Sequence, residues 1–212
     1  NTADYGIPQK RKRVIIVGLR NREFFEFPAA THCEDGSNLK RYVSVEEALG
    51  DLPLAVSEEK ETTKYLVEPQ SEYQKIMRGK GEITEHIIPQ MSELDKYIIS
   101  HVKPGGNYMD VPDEISTKRI KNKKKTGGRT TTYGRLSKDN PSYTLNTHFN
   151  RLNVGCNIHY EKERLISLRE GLRIQSFPDS FEVLSSNKRN FYVQIGNAVP
   201  PLLAKAWADH IW

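Results

Sequence analysis

Gln9-Lys10-Arg11-Lys12-Arg13-Val14-Ile15-Ile16-Val17-Gly18-Leu19 is the stretch that decides the fold class of this chain. Residues 13–19 form a continuous β-branched run, the pattern of a strand hidden on both faces of a parallel or mixed α/β sheet. The half before it is basic, and an extended backbone puts Gln9, Arg11 and Arg13 on one side. Two guanidiniums and an amide at the mouth of a sheet make a fork suited to a phosphate or a carbonyl oxygen. Taken alone, these residues fit a solvated basic flank on a strand equally well.

Working outward, a shorter β-prone patch at residues 24–27 stops at Pro28, and residues 31–41 read as a loop. Ser44-x-x-Glu47 is a capping box for a short helix ended by Gly50 and Pro53. Helical patches at Ser71–Arg78 and Ser92–Ser100 are separated by Gly79, Gly81 and Pro89, and Lys103–Asn107 is a turn. Strand candidates follow at Ser142–Thr147 and Val154–His159. Ser167-Leu168-Arg169-Glu170 is a second capping box, opening an amphipathic helix with its charges on the outer face and Pro178 as its stop. Asn197 is placed to cap the final helix, with Pro200 and Pro201 in its first turn.

Composition narrows the function classes. Lys plus Arg number 32 against 27 for Asp plus Glu, a balance of +5 that suits an anionic partner. No apolar run approaches the roughly 18 residues that span a membrane, so no membrane partner is expected. Cys33 and Cys156 form no C-x-x-C pair, which argues against zinc and against a disulfide framework, and favours a reducing, cytoplasmic setting. His86, His101, His148 and His159 lack metal-ligand spacing. The chain starts at Asn1, so a piece of something longer is expected.

With Pro8 included, Tyr5-Gly6-Ile7-Pro8-Gln9-x-Arg11-x-Arg13-Val14 resembles the Gln-x-Arg-x-Arg block of the cytosine-5 DNA methyltransferases. The stretches Phe25-Glu26-Phe27-Pro28 and Val45–Pro53 are also similar to that family, less specifically. The resemblance implies that Arg13 contacts a flipped target cytosine in double-stranded DNA, with Arg11 and Gln9 supporting it. Gln194-Ile195-Gly196-Asn197-Ala198-Val199-Pro200-Pro201 matches the family's Gly-Asn-x-Val block, so Asn197, Ala198 and Val199 would line an S-adenosylmethionine pocket. Thr144-Leu145 resembles the pair that ends the family's recognition loops, where the threonine touches backbone phosphate. The arginine-rich block from Arg164 to Pro178 is mainly structural in the family. Gly171 departs from the small side chain usual there, at about 1 kcal/mol of helix propensity.

Between these blocks, residues 117–135 carry eight basic residues and no acidic one. Lysines neutralise phosphates and give salt-sensitive affinity, whereas arginines can read guanine bidentately. Lys123, Lys124 and Lys125 are therefore expected on the DNA backbone, with Arg129, Tyr133 or Arg135 reaching base edges. A mobile solvated loop is the other reading of this composition.

The fold expected is α/β. It comprises the C-terminal part of a Rossmann-like methyltransferase sheet and a smaller mixed α/β target recognition domain. The divisions are residues 1–66 for late catalytic strands, 67–160 for target recognition, 161–187 for an arginine-rich hinge helix and 188–212 for the return to the catalytic domain. The family's chemistry adds a cysteine thiolate, from a Pro-Cys context, to the cytosine ring. Cys33 follows His32 and Cys156 follows Gly155, so neither matches, and the nucleophile is expected upstream in a catalytic half, covalent or as a separate chain. Alone, the chain is expected to be inactive. A specificity subunit of a split enzyme and a non-catalytic DNA-binding derivative are the alternatives.

Overall fold

Five hydroxyl side chains start five helices in the structure, a computed structural model that describes residues 1–20, 25–53, 62–79, 81–184 and 188–211. They are Ser44 for α1 (Val45–Leu49), Ser71 for α2 (Glu72–Met77), Ser92 for α3 (Glu93–His101), Thr117 for α4 (Lys118–Thr126) and Ser167 for α5 (Leu168–Ile174). Each accepts a hydrogen bond from an otherwise unpaired N–H of the first turn, an interaction of about 1 kcal/mol. Ser44, Ser92 and Ser167 complete the box with Glu47, Asp95 and Glu170. α6 (Lys188–Asn197) and α7 (Pro201–Ile211) follow.

The strands are short. β1 (Gln9–Lys10), β2 (His32–Cys33), β3 (Lys40–Arg41), β4 (Thr62–Thr63), β5 (Ile83–Thr84), β6 (Gly134–Arg135), β7 (Ser142–Tyr143) and β8 (Cys156–Ile158) join only in pairs. β1 lies parallel to β7 with Gln9 opposite Ser142, and β6 lies parallel to β8. The strand expected over residues 13–19 does not form: the segment carries no ladder, and Val14 and Ile16 are each 89% exposed. A strand buried on both faces needs a hydrogen-bonded neighbour and cover on each side. Among the described residues β7 is the only ladder partner of residues 9–19, and it reaches no further than Lys10. Of the expected patch at 24–27, Phe24 lies outside the described residues, and the remainder is not a strand.

Two apolar cores result. The larger packs Val45 and Leu49 of α1 and Met77 of α2 against Leu172 and Ile174 of α5 and Ile195 of α6. The second draws only on residues between Met91 and Leu165, with Ile98, Ile99, Tyr108, Ile120 and Ile158 among its members.

α5 corrects the expectation of an amphipathic helix with charges outside, because all seven of its residues are buried. Its charges are satisfied within the protein. Arg164 grips Glu170 through two bonds of 2.8 and 2.7 Å. Burial opposes the Glu170 carboxylate, but the Arg164 guanidinium outweighs it and holds the group well below the usual carboxylate range. Beside it, burial pushes His159 down to about 4, and its Nδ1 accepts from the backbone of Glu161 and Lys162 as a neutral ring must. Arg169 donates to the carbonyls of Thr84, Pro178 and Phe181. Gly171 is explained by packing: a Cβ there would sit 2.6 Å from Cζ of the buried Phe149 ring.

The start of α7 also differs from expectation. Asn197 closes α6, and α7 begins at Pro201. Prolines at 200 and 201 disfavour helical dihedrals at Val199 and Pro200, and Pro200 has no N–H for an Asn197 cap to receive. The cap comes from elsewhere: the hydroxyl of Ser176, just past α5, accepts from Leu202 N at 3.2 Å.

Candidate nucleic-acid interface

Two side chains from the opening stretch tie four distant segments together. Gln9 is fully buried; its Oε1 accepts from Leu145 N at 3.0 Å, and its Nε2 donates to Gln175 Oε1 at 3.1 Å. Gln175 in turn donates to Ile195 O at 2.8 Å. Arg11 donates to Leu145 O at 3.0 Å and to Gly196 O at 2.8 Å. Burial and then the neighbouring Arg13 push Arg11 down to about 10, so it stays charged at neutral pH. The Gln-x-Arg-x-Arg segment, the Thr-Leu pair, the exit of α5 and the Gly-Asn turn thus meet at one hub. Gly196 is required in it, since a Cβ there would lie 2.6 Å from Asn146 C and O and from Thr147 Cα.

The hub sorts the predicted residues. Gln9 and Arg11 are buried and face inward. Arg13 is exposed, donates among the described residues only to the adjacent Lys12 carbonyl, and with Arg11, Tyr5, Val14 and Trp207 lines a cleft of about 340 Å³. Thr144 is exposed and lines a separate groove with Lys10 and Lys12, its hydroxyl proton committed to Lys10 O at 2.9 Å. Asn197 and Val199 are exposed and Ala198 is half-buried, its N–H turned back to Ile195 O. Together these three form an exposed turn between α6 and α7.

The basic stretch is not a mobile loop over its first half. α4 runs through it on the Thr117 cap, ends at Gly127 with φ 67°, and is anchored by the buried Ile120. Lysines in its last turn also complement the helix dipole. Lys125 is exposed and Lys123 half-exposed, with its Nζ 5.9 Å from the Tyr108 ring. Lys124 departs from the expected backbone contact, because its ammonium is already held by Asp113 at 2.7 Å and by the Val111 carbonyl. Arg129 is exposed.

Two expected base readers are corrected outright. Tyr133 is buried in the second core. Arg135 is buried too, and its guanidinium donates to the carbonyls of Val102, His159, Lys162 and Ile99 at 2.7–3.0 Å. Neither can leave those contacts for a base edge without exposing unpaired carbonyls or opening the core.

Sequence reasoning overlooked Gln175, Asn146 and Arg151. Gln175 links the hub, Asn146 clamps the loop after Thr144 by bonding Val154 O and His148 N, and Arg151 stands out from that loop. The signal was position alone: Asn146 directly follows the Thr-Leu pair, and Gln175 ends the arginine-rich block. Of the cysteines, Cys156 is buried and its thiol is pushed up to about 12, which removes it as a nucleophile at neutral pH.

The family model described as C-5 cytosine-specific DNA methylase matches residues 1–212. Type II methyltransferase M.DdeI of Desulfomicrobium norvegicum is 32% identical over the whole chain, which covers 52% of that protein. Type II methyltransferase M.AgeI of Thalassovita gelatinovora is 28% identical, again over the whole chain, which covers 64% of it. DNA (cytosine-5)-methyltransferase 2 of Arabidopsis thaliana is 32% identical over 95% of the chain and 16% of its own length. The crystal structure of a DNA modification methyltransferase encoded within a prophage (E. coli) superposes with a TM-score of 0.66 at 18% identity, over 99% of this chain and 57% of that one. The chain therefore has the α/β fold of that structure and spans about half to two thirds of its bacterial relatives.

Proposed function

Because the chain belongs to the C-5 cytosine-specific DNA methylase family, we propose that it is the C-terminal, DNA-recognising part of an enzyme that methylates C5 of a flipped cytosine in duplex DNA. The observation that carries this reading is the hub, in which Gln9 and Arg11 hold the Thr-Leu and Gly-Asn segments in fixed register behind the exposed Arg13. In this reading Arg13 meets the target base, and residues 67–160 choose the sequence. Residues 1–66 and 188–212 belong to the catalytic domain, and 161–187 join the two.

S-adenosylmethionine supplies the methyl group, and Asn197, Ala198 and Val199 form one rim of its pocket. Their exposure suits a wall completed by other chain segments. The exposed Val14–Ile16 strip suits docking against the sheet of a catalytic half that bears the Pro-Cys nucleophile.

The test is turnover. The chain alone, given S-adenosylmethionine and cytosine-containing duplex DNA, is expected to transfer no methyl group. Mixed with the N-terminal half of a family member it is expected to do so. Turnover by the chain alone would refute the division of labour, and a silent mixture would leave a non-catalytic DNA-binding protein as the better reading.

The basic helix makes a separate prediction. Replacing Lys123 and Lys125 by alanine should lower the slope of log affinity for duplex DNA against log salt by about two, at roughly 0.9 per phosphate contact. Lys124→Ala should leave the slope where it was, since that charge is already paired with Asp113. Equal effects from all three positions would contradict this assignment.

A further inference from the structure

We propose that Arg151 reads a guanine edge in the DNA target, an assignment that rests on the recognition role above. Five other arginines of the chain, at 11, 135, 164, 169 and 173, are buried and bonded internally. Arg151 is exposed, and its guanidinium has no hydrogen-bond or ion-pair partner among the described residues. Its backbone, by contrast, is held at both ends: N donates to His148 O at 3.0 Å, and the carbonyl accepts from Asn157 Nδ2 at 3.0 Å.

The loop that carries it is fixed as well. Asn146 bridges it by donating to Val154 O at 2.9 Å and accepting from His148 N at 2.8 Å, while Phe149 and Leu152 anchor it in the two cores. A planar donor fork on an immobile backbone is what bidentate recognition of guanine O6 and N7 requires. Asn150, Asn153 and Gln90 line the same shallow groove, of about 280 Å³, and their amides are also without partners among the described residues. Amides suit adenine edges. The loop follows the Thr-Leu pair directly in the chain. Arg129 is exposed too, but it follows the end of α4, and only its carbonyl is held, by Thr132.

Selection of a random duplex DNA pool by the 212-residue chain, followed by sequencing, tests the assignment. The parent chain is expected to enrich a consensus containing at least one invariant guanine. Arg151→Ala should enrich the same consensus with one guanine position relaxed, discrimination there falling roughly ten- to a hundredfold. Its melting temperature should be that of the parent, because the side chain is exposed. An unchanged consensus would overturn the assignment. So would a uniform loss of affinity at every position, which would make Arg151 a phosphate contact. No consensus from the parent chain would overturn the recognition reading itself, and this assignment with it.

Discussion

Arg173→Leu is expected to lower the free energy of unfolding by about 3–5 kcal/mol, the cost of removing one partner from a buried ion pair. Arg173 is inaccessible to solvent, and all five of its N–H groups are used. Two reach Asp51 at 2.7 and 3.3 Å, two reach Asp179, and one reaches Ala48 O at 2.8 Å. Tyr65 adds a bond to Asp179, and Tyr73 donates to the Arg173 carbonyl at 2.6 Å. Leucine would leave two buried carboxylates without a counter-charge. With total stabilities of domains at roughly 5–15 kcal/mol, the variant would stand near its unfolding threshold. Urea denaturation measures this. Adding Asp51→Asn and Asp179→Asn should recover part of the loss, and a loss below about 1 kcal/mol would mean the carboxylates are solvated after all.

Arg11→Met is the second large effect, and it joins stability to function. Methionine keeps the apolar reach of the side chain but donates nothing, so the Leu145 and Gly196 carbonyls lose their charged donor. At about 1–3 kcal/mol for each of the two buried unsatisfied groups, the expected cost is roughly 2–6 kcal/mol. Arg11→Lys should recover only part of this, because an ammonium lacks the fork that spans two carbonyls. On the proposed division of labour, methylation by the chain mixed with a family member's N-terminal half should fall further than global stability does, since Arg13 and the Gly-Asn turn would lose their common register. A methionine variant as stable and active as the parent would remove the hub from the account.

Several elements were legible because their causes are local. The helices begun by Ser44, Ser71, Ser92 and Ser167 each announce themselves through a hydroxyl and a following helical pattern, and each forms as expected. α4 carried the same kind of signal, Thr117 before it and Gly127 after it, but the polarity of the segment hid it. Only Ile120 marks its buried face. Residues 13–19 show the opposite failure. A β-branched run states that a segment is fit for burial, and says nothing of whether a neighbouring strand is there to bury it.

The site was legible in part. Gln9, Arg11 and the Gly-Asn turn come together because the two side chains bond backbone groups of Leu145 and Gly196. Arg135, Arg129 and Arg151 cannot be told apart in the same way. Whether an arginine meets four carbonyls or open solvent is set by residues as distant as Ile99 and Lys162, and no local pattern records it.

The contact between Gly196 and the Asn146–Thr147 backbone limits how such chains can be recombined. Exchanging recognition segments between relatives is an obvious route to new target sites, and the Thr-Leu pair is an inviting place to cut. In this chain a graft of the proposed recognition segment, residues 67–160, would replace Asn146 and Thr147, the very backbone against which Gly196 leaves no room for a methyl group. A donor segment with any other path at those two positions would lever the Gly-Asn turn out of place, so such a graft should keep residues 144–147 from the recipient.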